Sequence, residues 1–166
     1  MKLTNVELLN FRSFRGTTLS CDTSRVLCAG LNGSGKSSVA DGIRWALTGR
    51  CKGLDGKGAG AEVLIPEGGK IAEAAITVEG IGRIARTYAE KGGGAFSVEG
   101  FTGTGSIQQL ALHDKLKTTP EFLSAVLDTA VFLDLTHVQA KAMVLSLLNV
   151  RFPVDGKAIT LEELDV

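Results

Sequence analysis

The sequence predicts an α/β fold: a strand–loop–helix unit near the N-terminus, an antiparallel β region in the middle and helices toward the C-terminus. Three observations carry this expectation. The apolar run Arg25–Ala29 leads into a glycine-rich segment, Gly30–Lys36, and a helix-periodic segment, Ser37–Thr48, follows. Residues 70–101 form β-rich stretches separated by glycine turns. From Ser106 onward apolar residues recur at helical spacing. The 166 residues fit one domain with a substantial core. With 44% hydrophobic and 22% charged residues, the chain has the profile of a folded protein rather than a disordered one.

In order along the chain, residues 2–9 (KLTNVELL) read as a strand, with a turn at Asn10–Ser13 and a returning strand over 15–22. Arg25–Ala29 reads as a short buried strand, with Cys28 as a small core residue. In the helix that follows, Val39, Ala40, Ile43, Ala46 and Leu47 share a face, and Gly49 is a natural stop. Residues 49–60 hold five glycines and read as a loop, followed by a short turn or helix over 61–66. Lys70–Glu79, Ile81–Glu90 and Ala95–Phe101 read as three strands. Ile107, Leu110, Ala111 and Leu112 then suggest one helical face. Thr119-Pro120-Glu121 is a helix start, with Phe122, Leu123, Val126 and Leu127 following at helical spacing. Thr136 and Gln139 fit a capping box before a stripe of Ala140, Met143, Val144, Leu147 and Leu148 that ends near Asn149. The expected organisation is a domain over 1–150, with a β-subdomain at about 70–101, a helical part at 106–149 and a tail at 151–166.

Lys+Arg and Asp+Glu are both 18, so net charge is zero and a strongly basic nucleic-acid binder is excluded. Residues 1–58 nevertheless hold nine basic residues against four acidic ones, which suits an anionic ligand there. Cys21, Cys28 and Cys51 make neither a CxxC pair nor an even set, so neither a zinc site nor a disulfide framework is expected. His113 and His137 stand alone and read as surface or capping residues. No apolar run is long enough to span a bilayer, and the N-terminus lacks a signal peptide's apolar core, so the expected compartment is the cytoplasm.

One motif carries chemistry. Gly30-Leu31-Asn32-Gly33-Ser34-Gly35-Lys36-Ser37 matches GxxxxGK[ST] in full. Glycines let successive backbone N–H groups curl around an anion, and the following helix aims its positive dipole end at the same point. Lys36 supplies a charge between the β- and γ-phosphates, and the Ser37 hydroxyl is the expected Mg²⁺ ligand. Hydrolysis needs an acid at a strand end as well. Two runs of three apolar residues and Asp come near that pattern, ending at Asp128 and Asp134. Asp128 follows helical spacing, and Asp134 is followed by Leu135 and a helix cap.

These residues resemble a family. Asn10-Phe11-Arg12-Ser13-Phe14, a phosphate loop with Asn32 before Gly33 and the double Ser37-Ser38, and the Asp41-Gly42-Ile43 to Ala46-Leu47 helix look like the N-terminal lobe of SMC/RecF/SbcC-type ATPases of chromosome maintenance and DNA repair. Compact phage and prophage versions look most similar. The resemblance implies a P-loop NTPase of ABC type, with a mixed sheet around the phosphate-loop helix plus an antiparallel β-subdomain. It also implies ATP bound by Asn32–Ser38 with Arg12 near the phosphates, and two heads closing on two ATP molecules to act on DNA or a partner nuclease. Walker B, the signature loop, the switch histidine and the coiled coil have no counterpart in this sequence, nor does the expected glutamine: Phe122–Asp128 contains none and Gln139 falls too late. A chain that ends with the N-terminal lobe is the simplest account, one that alone binds ATP weakly or not at all and turns it over only with a complementary lobe. Two other readings stand beside it: a complete small P-loop kinase or NTPase using Asp134 or Asp128, and a non-catalytic interaction module. Arg50, Lys52 and Lys57 are the candidate DNA-phosphate contacts.

Overall fold

A computed structural model of the chain describes residues 2–21, 23, 25–51, 63–128, 133, 135–148, 153–154 and 157–158. The chain forms two compact units, Met1–Leu127 and Asp128–Val166.

The first unit is built on a five-stranded sheet of order β2-β1-β3-β4-β5, antiparallel throughout. Its strands are β1 (Leu3–Phe11), β2 (Phe14–Ser20), β3 (Ile71–Val78), β4 (Gly82–Ala89) and β5 (Gly94–Val98). The N-terminal hairpin and the expected β-subdomain are therefore one sheet, joined where β1 pairs with β3. The first turn is tighter than the sequence suggests, since Phe11 pairs with Phe14 across Arg12-Ser13 alone. Asn10 and Arg12 take positive φ, +44° and +52°. The change of direction at Asn10 leaves Leu9 half-exposed and seats Phe11 fully in the core, stacked on Trp45 at 5.5 Å.

Helix α1 (Lys36–Thr48) packs on one face of this sheet. Its buried face is Val39, Gly42, Arg44, Trp45, Ala46 and Leu47; Ala40, expected inside, is exposed. Close approach depends on small residues on both partners. Ala72, Ala74 and Ala75 line β3, and a Cβ at Gly42 would stand 2.5 Å from Leu8. Helices α2 (Gly105–Leu116) and α3 (Pro120–Leu127) complete the unit, α2 against β5 and α3 against α1.

Further expectations fail in this unit. Arg25–Ala29 forms no strand and is exposed, Leu27 at 90%, and Cys28 is exposed with it. A strand needs a partner to satisfy its backbone, and none of the described strands pairs with this run. In α2, Ile107 and Leu110 are exposed while Leu112 and His113 are buried. The helix faces the sheet with its glutamines: Gln108 accepts the edge N–H of Val98 at 2.7 Å, and Gln109 reaches Leu47 O at 2.8 Å. His113 is accordingly interior, not a surface residue. In α3, Ser124 and Ala125 are buried with Leu123, whereas Val126 is exposed. The third hairpin strand stops at Val98, short of Phe101.

In the second unit the expected capping box forms. Gln139 N donates to Thr136 Oγ1 at 3.4 Å, and Thr136 N donates back to Gln139 Oε1 at 3.0 Å, opening α4 (His137–Leu148). Two short strands, β6 (Pro153–Val154) and β7 (Lys157–Ala158), pair antiparallel. Among the described residues no helix is long and apolar enough to cross a membrane.

Candidate nucleotide-binding site

The phosphate-loop segment runs directly into α1. Gly33 and Gly35 adopt φ of +83° and +91°, a region that disfavours any side chain. At Gly35 a Cβ would also stand 2.8 Å from Phe14 and 2.9 Å from the Ser13 hydroxyl. Gly30 is confined as well, since a Cβ there would stand 2.7 Å from Ser34 Oγ. Gly35 is the N-cap of α1 and supplies no side-chain cap. The N–H groups of the first helical turn, at Lys36, Ser37 and Ser38, thus have no acceptor within the helix. The first intrahelical bond is Val39 N to Gly35 O, at 3.1 Å.

These groups border a cavity of about 430 Å³ lined by Arg12, Ser13, Asn32, Gly33, Gly35, Lys36, Ser37 and Ser38. Of the residues the sequence singled out, the fold brings seven to this one cavity. Gly30, Leu31 and Ser34 belong to the loop without lining it, and Leu31 is 86% exposed. Lys36 Nζ donates to Gly30 O at 2.9 Å and Leu31 O at 2.8 Å. Its ammonium is folded onto carbonyls of its own loop, oxygens that phosphate oxygens can replace.

Arg12 is held by a network that sequence reasoning missed. Its Nη1 pairs with Asp41 Oδ2 of α1, and its Nη2 donates to Cys51 Sγ at 3.1 Å. Asp41 also takes Arg44 at 3.1 Å. Burial pushes the Cys51 thiol above its usual range, with Asp41 adding to the shift and Arg12 and Arg44 opposing it. The i,i+3 spacing of Asp41 and Arg44 was visible, but that Arg12 and Cys51 join them depends on the fold.

The alternative acids are placed less favourably. Asp128 follows the end of helix α3, so it does not end a strand; Asp134 lies outside the described residues. Lys52 and Lys57 also lie outside them, and Arg50 is exposed. Among the described residues no three His, Cys, Asp or Glu side chains cluster to hold a metal ion.

A family profile described as an AAA domain matches residues 5–129. The chain belongs to this AAA domain family. Comparison with solved structures places the fold among SMC heads. A chain from work on ATP-driven dimerization and DNA-stimulated activation of SMC ATPases is 20% identical, with a TM-score of 0.64 over 89% of this chain and 99% of that one. The Smc head domain of Pyrococcus furiosus with an extended coiled coil, bound to the C-terminal domain of ScpA, is 21% identical (TM-score 0.52, 72% of this chain, 34% of that one). An SmcHead bound to the C-winged helix domain of ScpA is 22% identical (TM-score 0.50, 72% and 42%). The AAA domain described here thus has the fold of an N-terminal SMC-type ATPase lobe. It spans almost all of the first of these chains and under half of the other two. A search of curated proteins returns no match.

Proposed function

We propose that this chain is the ATP-binding lobe of an SMC/RecF/SbcC-like ATPase acting in DNA repair, recombination or replication. The observation that carries the reading is the phosphate-loop cavity: Lys36, Ser37 and Ser38 open α1 there, and Gly33 and Gly35 stand at positive φ beside them. The first-turn N–H groups and Lys36 would receive the β- and γ-phosphates. Ser37 would hold Mg²⁺ through its hydroxyl, and the metal's contribution is to neutralise phosphate charge. Arg12, fixed by Asp41 at the cavity wall, would add a second cation.

Turnover would require a complementary lobe. The exposed run Arg25–Ala29 supports this part of the reading. It lies along a second cavity of about 470 Å³, where Val26 and Cys28 face Leu3, Val6, Leu19 and Ile43. An apolar, β-prone segment open on its flank is the place where a further strand would complete a sheet. That lobe, a second ATPase head, DNA and a nuclease subunit are the proposed partners.

Calorimetric titration with ATP and Mg²⁺, with phosphate release followed in the same sample, tests this. Saturable binding without release is the expected result. Sustained release by the isolated chain would point instead to a complete small NTPase. Binding that survives Lys36→Ala would sink the assignment of the phosphate loop.

A further inference from the structure

A cavity of about 920 Å³ lies at the other end of α1, where Trp45, Thr48 and Gly49 meet β4, β5 and α2. A thirteen-residue helix separates it from the phosphate loop, roughly 20 Å at 1.5 Å per residue. Arg86 stands on its wall. Nε donates to Trp45 O at 2.9 Å, Nη2 donates to Gln109 Oε1, and the guanidinium lies over the Phe96 ring at 4.5 Å.

A guanidinium has five N–H donors, and these two bonds use two of them. Capping the carbonyl end of α1 accounts for Nε; one donor on Nη2 and two on Nη1 are left without an acceptor among the described residues. No Asp or Glu is found among the described lining residues. Burial therefore acts on this charge unopposed and pushes its pKa down to about 10. The neighbouring imidazole of His113 is tied into the same network. Gln109 turns its carbonyl oxygen to Arg86, so its amide nitrogen faces Leu47 O at 2.8 Å and His113 Nε2 at 2.9 Å.

The site thus combines the desolvated guanidinium of Arg86 with the lining residues Tyr88, Phe96 and Ser106. We propose that this cavity binds a small organic acid. A single carboxylate is received end-on by the Nη1/Nη2 edge of Arg86, and an apolar body lies against the aromatic wall. One cation matches a monocarboxylate better than a doubly charged phosphate group, which would be left half-neutralised. This inference stands apart from the nucleotide reading, because no residue is shared between the two cavities.

The test is an amide-resolved NMR titration of the full chain with benzoate and with 3-phenylpropionate, using benzamide as the uncharged control. Saturable shifts are expected at residues 94–96 and 105–110, with benzamide at least about tenfold weaker. Arg86→Lys should weaken benzoate about tenfold, because the planar fork is lost while a charge remains. Ser106→Phe, at an exposed position on the cavity lining, should block the site. Shifts that do not saturate would overturn the proposal, as would benzamide binding as well as benzoate, or a Ser106→Phe chain that still binds. The last two comparisons hold even if Arg86→Lys fails to fold.

Discussion

The two ends of helix α1 are built in opposite ways. At its N-terminus Gly35 offers no side-chain cap, three N–H groups lack intrahelical acceptors, and the neighbouring Leu31 is exposed. At its C-terminus the carbonyls of Trp45 and Leu47 are taken up. Gly49 turns left-handed and returns its N–H to Trp45 O at 2.8 Å; Arg86 donates to the same carbonyl and Gln109 to Leu47 O. Trp45, Ala46 and Leu47 are buried there. The closed end anchors the helix through buried contacts, and the open end is the one the proposed anion would use. Substitutions at the two ends should therefore separate binding from stability.

The largest effect is expected at the open end. Lys36→Ala should weaken ATP binding by at least about a hundredfold, since the cation proposed to meet the phosphates is lost. Its melting temperature should stay within about 2 °C of wild type, since the lysine's bonds are only to exposed loop carbonyls. Calorimetry and thermal unfolding of the same preparation check both. A large loss of stability in Lys36→Ala would break the comparison.

The middle of α1 should behave as core. Gly42→Ala places a methyl group 2.5 Å from the side chain of Leu8, which is itself buried. The expected cost is about 1–3 kcal/mol by denaturant unfolding, partly offset by alanine's helix propensity. A neutral or stabilising result would mean that α1 and β1 are less tightly opposed than their small residues indicate.

At the closed end, Arg86→Met should cost about 1–2 kcal/mol by denaturant unfolding. The substitution removes the donors to Trp45 O and Gln109 Oε1 but also relieves the burial of a charge. ATP affinity should change less than threefold or so, because the helix persists. An affinity loss like that of Lys36→Ala would show that the two ends are not separable.

The open end was the legible one. The spacing of Gly30 to Ser37 states its chemistry, because backbone curvature, charge and hydroxyl are all local properties of that segment. The strands at 71–78 and 82–89 and the capping box at Thr136 were legible for the same reason. The closed end was not. Arg86, Gln109 and His113 come from a strand and a helix distant in sequence from α1, and only their meeting gives them a role. Arg25–Ala29 misled in the opposite sense: its composition favours a strand, but strand formation depends on a neighbour that local sequence does not specify.

Two thiols give the same contrast on a finer scale. Cys28, before the phosphate loop, is exposed; Cys51, just past the closed end, is fully buried and accepts from Arg12. Iodoacetamide at about pH 8 should alkylate Cys28 first, with Cys51 at least about a hundredfold slower, as peptide mass spectrometry would resolve. The pH dependence follows from the same burial. The Cys51 thiol is raised above its reference value of 9.0 in the folded chain, so above that pH the unfolded chain loses a proton that the folded chain keeps. Its contribution to stability is full below pH 9.0 and declines as pH rises through the folded value. Denaturant unfolding across that range should show the decline, and Cys51→Ala should flatten it. A slope unchanged by the substitution would mean that the thiol is open to water, and that this side of α1 is less closed than its hydrogen bonds indicate.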